Sequence, residues 1–273
     1  MKLKYLGTAA AEGIPAVFCE CDNCLLAKTY GGKNIRTRSQ AMIDDKILID
    51  FPPDTYYHSL KYGIHLAAIQ YCLITHTHSD HFYPQELQMR SPAFSTLKES
   101  QPLIIFGTKQ VGEMILNVKT DKDRIIFKEV IPFETFDLEE YKITPLKAEH
   151  DPASGAVLYL ISKDDKTFLY AHDTGYFGDE TWRYLEDKHP FLNAVSLDCT
   201  EAFRDINYNV HMNVDKCLSV REKLISIGCA NDHTVFYLNH FSHNGKDVTY
   251  NIFCPIAEKN GFYVSYDGLE IEI

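Results

Sequence analysis

The chain has 273 residues, 45% hydrophobic and 24% charged, the proportions of a globular protein able to bury a sizeable core. Its 27 Lys and Arg against 38 Asp and Glu leave a net charge of −11. That balance argues against nucleic acid as a ligand, because basic side chains supply most of the affinity for a long polyanion; a small anion captured by cations suits it better. No apolar run approaches the roughly 18 residues of a membrane span, and Met1–Gly7 reads as a first strand, not a secretory signal. A cytoplasmic location with no membrane contact is therefore expected, with the 8 cysteines reduced or metal-bound.

In chain order, strands are predicted at Lys2–Leu6, at Ala41–Ile43 and at Ile47–Asp50, the last two joined by the Asp44-Asp45 turn. A helix is expected over Asp54–Tyr62, and Tyr71–Thr75 is a strand that runs into a histidine cluster. Further strands follow at Leu103–Phe106, Ile125–Phe127, Tyr141–Leu146, Val157–Ser162 and Thr167–Ala171. Helices are predicted at Lys109–Val118, Asp179–Asp187, Val214–Ser226 and Asp247–Lys259. Late strands fall at Ala194–Asp198, Thr234–Leu238, Phe262–Ser265 and Leu269–Ile273. Strands and helices interleave in both halves with no linker or repeat. The expected fold class is α/β: residues 1–273 as one domain, two mixed sheets packed face to face with helices outside.

The segment His76-Thr77-His78-Ser79-Asp80-His81 places three imidazoles and a carboxylate directly after a strand. Alternating His76 and His78 point to one side, and Asp80 and His81 turn to a neighbouring point, an arrangement for two adjacent cations. From this composition such a pattern arises by chance in roughly two chains per thousand. One motif cannot fill two coordination shells, so more ligands are expected at later strand ends. His150, Asp173 and His240 each follow a predicted strand, in Lys147–His150, Ala171–Gly175 and Leu238–His243.

Separately, Cys19-Glu20-Cys21-Asp22-Asn23-Cys24 forms a C-x-C-x-x-C cluster in an expected loop. Three thiolates make three corners of a closed, tetrahedral zinc site. Cys72, Cys199, Cys217, Cys229 and Cys254 lie among apolar neighbours and read as buried thiols. Trp182 reads as helix packing.

The motif His-x-His-x-Asp-His, then a lone His, an Asp before Thr-Gly and a late His resembles the metallo-β-lactamase superfamily over nearly the whole chain. The resemblance implies an αββα sandwich, with a first metal on His76, His78 and His150, a second on Asp80, His81 and His240, and Asp173 bridging. It also implies that Asp50 orients a ligand imidazole, and that His211 is catalytic alongside the ligand Asp80. The segment Gly7–Pro15, the cysteines and Arg36–Ser39 resemble the phosphoribosyl 1,2-cyclic phosphate phosphodiesterase (PhnP) subfamily. There the fourth zinc ligand matches His243, three residues after His240. Ala9–Ala11 and His172 depart from that pattern.

What the resemblance implies is a binuclear phosphodiesterase acting on a small cyclic sugar or nucleotide phosphate through a metal-bridging hydroxide. It would hold two divalent ions, Zn, Mn or Ni with Fe a further choice, plus one structural Zn, and a homodimer is the family expectation. The alternatives are a lactone or thioester hydrolase of the same fold, or a non-catalytic metal-binding carrier of a cofactor-biosynthesis pathway. Arg36 and Arg38 are open between phosphate contact and structural pairing.

Overall fold

Alternation of apolar side chains along the strands builds three stacked apolar layers, and those layers define the architecture. The computed structural model describes residues 1–98 and 101–273. Its first sheet contains β1 (Lys2–Gly7), β2 (Gln40–Ile43), β3 (Ile47–Ile49), β4 (Tyr71–Leu73), β5 (Leu103–Gly107) and β6 (Ile125–Glu129). The second contains β7 (Phe136–Leu138), β8 (Tyr141–Lys147), β9 (Val157–Lys163), β10 (Lys166–Ala171), β11 (Ala194–Asp198), β12 (Val235–Asn239) and β13 (Tyr263–Val264). The final strand β14 (Glu270–Glu272) returns to the first sheet, giving the orders β14-β1-β2-β3-β4-β5-β6 and β13-β12-β11-β10-β9-β8-β7. Both sheets are mixed. Pairing is antiparallel from β14 to β3 and parallel from β3 to β6. In the second sheet it is antiparallel from β7 to β10 and parallel from β10 to β13.

Along β9, Val157, Tyr159 and Ile161 face the first sheet while Leu158 and Leu160 face outward. The same split separates Phe168 and Tyr170 from Leu169 and Ala171 on β10, and Ile47 and Ile49 from Leu48 on β3. A period of two with both faces apolar is what a sheet covered on both sides requires. Helices cover both outer faces. α2 (Thr55–Tyr62) and α3 (Lys109–Leu116) lie with the first sheet, where Val111 and Ile115 pack on Leu48, Cys72 and Ile105. α1 (Asp22–Tyr30), α4 (Asp179–Lys188), α5 (Val214–Ser226) and α6 (Tyr250–Lys259) cover the second. There Ala27, Leu185, Val220, Leu224 and Phe253 share one apolar cluster with Leu158, Leu169 and Val195. The αββα expectation holds. Trp182 is buried in that layer between Tyr176 and Phe177, and the five scattered cysteines are buried.

Three readings of local structure need correcting. The cysteine cluster is not wholly loop: α1 begins at Asp22, so Cys24 sits in its first turn and Cys21 at its N-cap. The last helix begins at Tyr250 and not Asp247, because Asp247 adopts φ +56°, outside the helical region, and Thr249 is the N-cap. The three-residue strand β7, paired to β8, was not foreseen. Among the described residues no helix is long and apolar enough to cross a membrane.

Candidate metal centre

Five strands deliver the site. His76 follows β4, His150 follows β8, Asp173 follows β10, Asp198 ends β11, and His240 follows β12. The two sheets are tied at this edge by Val157 N–H donating to Thr75 O, so the His76 and His150 loops meet. Ligand atoms of His76, His78 and His150 lie within 4.8 Å of one another, as do those of Asp80, His81, Asp173 and His240. Asp173 stands between the groups. Its Oδ2 is 2.5 Å from His81 Nε2, 2.9 Å from His240 Nε2 and 3.9 Å from His76 Nε2, and its Oδ1 is 3.7 Å from His150 Nε2. Every residue expected in the two shells is therefore here.

The imidazoles are held from behind. Asp50 Oδ2 lies 2.7 Å from His81 Nδ1, while its Oδ1 accepts from the backbone and hydroxyl of Thr75. Thr75 Oγ1 is 3.0 Å from His76 Nδ1, Val210 O is 3.1 Å from His150 Nδ1, and Thr200 Oγ1 is 2.9 Å from His240 Nδ1. His78 is reversed: its Nε2 lies 3.4 Å from Asp151 Oδ2 and its Nδ1 lies 3.1 Å from His150 Nε2. Each ring thus has one nitrogen occupied and the other turned inward, the arrangement that fixes a ligand's tautomer and direction.

Two of the inward atoms lack a hydrogen-bond partner, and others face only one another, as His81 Nε2 does His240 Nε2 at 3.1 Å. His76 Nε2 and Asp173 Oδ2 are buried without a hydrogen bond, although Asp173 Oδ2 has two imidazole nitrogens nearby. A buried polar atom left unsatisfied is destabilising unless something else binds it. Nitrogen and carboxylate donors crowded this closely fit divalent cations of intermediate hardness. Burial pushes the His76 imidazole far toward its neutral, ligating form, and His81 and His240 outweigh burial to hold the Asp173 carboxyl well below its usual range. Three residues here, Asp50 (φ +68°), Asp173 (φ +50°) and His240 (φ +61°), adopt left-handed backbone that non-glycine residues rarely hold without a surrounding constraint.

His211 lies at the mouth, on the loop before α5. Its Nδ1 is 3.0 Å from Asp198 Oδ2 and 3.6 Å from Asp173 Oδ1. Burial pulls this imidazole toward neutral, but the Asp198 carboxylate prevails and raises it to about 9. Sequence reasoning gave Asp198 no role. The available signal was its position ending a strand, but only the parallel order β10-β11-β12 places it between Asp173 and His240. Thr200, bonded to both Asp198 and His240, was missed for the same reason.

The second cluster unites Cys19, Cys21, Cys24 and His243, again within 4.8 Å. His243 Nδ1 is 3.4 Å from Cys19 Sγ and 3.5 Å from Cys21 Sγ. Asn23 Nδ2 clamps the facing loop by donating to His243 O and Gly245 O. Burial lifts the Cys24 thiol to about 12, so its thiolate needs a cation to persist. The donor set matches a closed tetrahedral zinc site.

His172 faces away from the cations' place, 2.7 Å from Ser196 Oγ and 3.1 Å from Asn239 Nδ2. Arg36 is buried, donates to Thr8 Oγ1 and Ser265 O, and lies over the Phe241 ring, while Arg38 pairs with Asp54 at 3.0 Å. Both arginines have structural partners.

Residues 45–229 match the profile of the β-lactamase superfamily domain. The chain belongs to this family, the β-lactamase superfamily domain. Over 128 residues it is 27% identical to the coenzyme PQQ synthesis protein B of Methylobacterium radiotolerans, covering 42% of this chain and 40% of that protein. Over 144 residues it is 24% identical to the ribonuclease Z of Leuconostoc mesenteroides subsp. mesenteroides, covering 51% of this chain and 39% of that one. The matched segments thus span about two-fifths of these curated relatives. The crystal structure of a new diphosphatase from the PhnP family superposes with a TM-score of 0.72 at 20% identity, over 100% of this chain and 97% of that one.

Proposed function

We propose that the protein is a binuclear metal-dependent phosphodiesterase whose substrate is a small cyclic sugar or nucleotide phosphate. The observation that carries this reading is the position of Asp173, one oxygen toward His150 and the other toward His81 and His240. A single carboxylate facing two imidazole groups is the geometry of a ligand shared by two cations. His76, His78 and His150 would hold one; Asp80, His81 and His240 the other. When bound, such a pair supplies Lewis-acid activation of a water nucleophile and neutralises charge on phosphoryl oxygens.

The chain's own contribution is position and a proton. Asp198 fixes His211 through Nδ1 and keeps it protonated near neutral pH, so His211 can donate to a departing alkoxide. A cleft of about 540 Å3 opens beside His150 and Asp151, lined by Lys109 and Lys147 and also by Glu129 and Glu149, and has the volume for a small substrate next to the centre. The net charge of −11 disfavours a long polyanion. Eight unpaired thiols suit a reducing, cytoplasmic setting. A homodimer remains the family-level expectation for its assembly.

A second reading, a metal-holding carrier of a cofactor-biosynthesis pathway, has in its favour the 27% identity to the PQQ synthesis protein. One experiment separates the two. Purified protein is assayed for metal content and for hydrolysis of bis(p-nitrophenyl) phosphate with added Mn, Ni or Zn. Close to three cations per chain with diesterase turnover supports the proposal. Metal without turnover on this ester or on cyclic sugar phosphates moves the weight to the carrier.

A further inference from the structure

One ligand of the second cation group and one residue behind it adopt left-handed backbone: His240 has φ +61°, and Asp50, which orients His81, has φ +68°. What holds them can be traced outward through buried side chains. The Asp50 carbonyl accepts from Gln40 Nε2 at 3.0 Å, and Gln40 Oε1 lies 2.6 Å from His58 Nδ1. His58 Nε2 lies 2.7 Å from Thr37 Oγ1, which reaches Asp267 Oδ2 at 2.6 Å. Asp267 Oδ2 also accepts from the Thr37 backbone N–H. On the other side, Asp267 Oδ1 accepts from Thr8 Oγ1 at 2.7 Å, and the Thr8 carbonyl accepts from Phe241 N–H, the residue after His240. Ala10 N–H returns the bond to the Phe241 carbonyl.

Both arms therefore start at one carboxylate near the C-terminal end and finish at two imidazoles of the same group, His81 and His240. Gln40 and His58 along the first arm are completely buried, and Gln40 is fixed in one orientation because Nε2 also donates to Thr55 Oγ1. Left-handed backbone at a non-glycine residue persists only where the surroundings over-determine it. The first arm also branches to His76, because Asp50 Oδ1 accepts from Thr75 Oγ1, which lies 3.0 Å from His76 Nδ1. Among the described residues nothing equivalent ties Asp267 to His78 or His150, which are braced by Asp151 and Val210.

We infer that Asp267 is a positioning residue for one of the two cations, the one facing Asp80, His81 and His240. The inference rests on the binuclear reading above and adds an asymmetry to it. Loss of Asp267 should weaken one cation position and spare the other two in the chain.

The test is metal titration of Asp267→Asn and Thr37→Val, followed by calorimetry and by NMR of histidine-labelled protein. Wild type should take two cations beyond the cysteine site. Asp267→Asn should bind one of these about 10- to 100-fold more weakly, the loss typical of removing a residue that supports a ligand, with the response of His81 and His240 diminished. The response of His78 and His150, which the two arms do not reach, should be retained. Thr37→Val breaks the first arm with little change of shape and gives the answer if Asp267→Asn does not fold. Wild-type affinity at both positions in a folded variant overturns the inference, as does equal weakening of both. A wild-type protein that takes no cation pair overturns the binuclear reading itself, and the asymmetry with it.

Discussion

Asp198 Oδ2 stands 3.0 Å from His211 Nδ1, a buried carboxylate held in turn by the Thr200 and Met212 backbone N–H groups. With Nδ1 engaged, the other ring nitrogen is the one free to exchange a proton. Replacing His211 by alanine should lower kcat on a diester by about 10²- to 10⁴-fold, the usual range for losing a general acid. Cation content should not change, because His211 is outside both expected shells. Undiminished turnover in His211→Ala would remove it from the mechanism. Asp198→Asn should fall between that variant and wild type.

Much of this site was legible because its residues are consecutive or end recognisable strands. The spacing from His76 to His81 is local, and His150, Asp173 and His240 each close an apolar run whose period of two shows in the sequence. Asp198 and Thr200 escaped because their meaning depends on the order of neighbouring strands, which a single chain read in one dimension does not reveal. The chain through Gln40, His58 and Thr37 escaped for a stronger reason. Its links join residues up to 230 positions apart, Thr37 to Asp267, and no local pattern distinguishes them from ordinary polar side chains. Helix α1 was missed because its residues Asp22–Tyr30 show no clear apolar face; only Cys24 and Ala27 are buried.

Asp173 gives the most direct test of the paired cations. Asp173→Ala removes the one carboxylate that both imidazole groups face, so both positions should lose affinity together, unlike Asp267→Asn. Stripping wild type with a chelator should lower Tm. A cation present at 100 times its Kd contributes about 2.7 kcal/mol to the folded state, which for a chain of this size corresponds to roughly 5–10 °C. Thermal scans with and without chelator, paired with metal analysis, read this. An unchanged Tm alongside complete metal loss would show that the centre is not coupled to folding.

The cysteine cluster predicts a separable behaviour. Cys24→Ser should release one zinc and loosen the segment between Ala16 and Tyr30, where Val17 and Phe18 are already exposed. Limited proteolysis should then cut near Phe18 in the variant before it cuts wild type. The two sites share only the loop after β12, where His243 lies three residues beyond His240, and Cys24 lies on α1, so the cation content of the His and Asp centre should be retained.

Asp44 sets an acid limit on stability. Its Oδ1 accepts from the Lys2 backbone N–H and its Oδ2 from Tyr141 Oη and Lys163 Nζ. Burial works against the charge, but Lys163, Tyr141 and the Lys2 N–H outweigh it and hold the carboxyl at about 2, below its ordinary value of 3.8. A carboxyl depressed in the folded state stabilises it above the unfolded pKa, and that contribution fades as pH falls through the folded one. The window is therefore from about pH 4 down to about pH 2. Asp44→Asn, which tolerates the φ of +47° at this position, should be less stable than wild type at pH 6. The two urea midpoints should converge toward pH 2, and a constant difference across the range would exclude Asp44 as the titrating group.

Gly175 packs against the loop that carries His211. A Cβ there would lie 2.1 Å from Asn209 O and 2.6 Å from Asn209 Cγ, so alanine cannot be added without moving that loop. The loop is clamped in place by Tyr176 N–H donating to Asn209 Oδ1 and Asn209 Nδ2 donating to Tyr176 O. Two residues on it carries His211, and Val210 O braces His150 Nδ1. Gly175 has no left-handed φ, so Gly175→Ala acts through this contact and not through backbone conformation. Overpacking of this kind destabilises by about 1–3 kcal/mol, while a displacement near 1 Å at a catalytic group can lower the rate about 10²-fold. Gly228→Ala is the matched control: its φ is +76° and nothing lies within 4 Å of the added carbon, so it should lose stability without losing turnover. Measuring kcat and Tm for both separates the effects. If Gly175→Ala keeps wild-type kcat while its Tm falls, the Asn209–His211 loop absorbs the displacement without carrying it to the reacting groups.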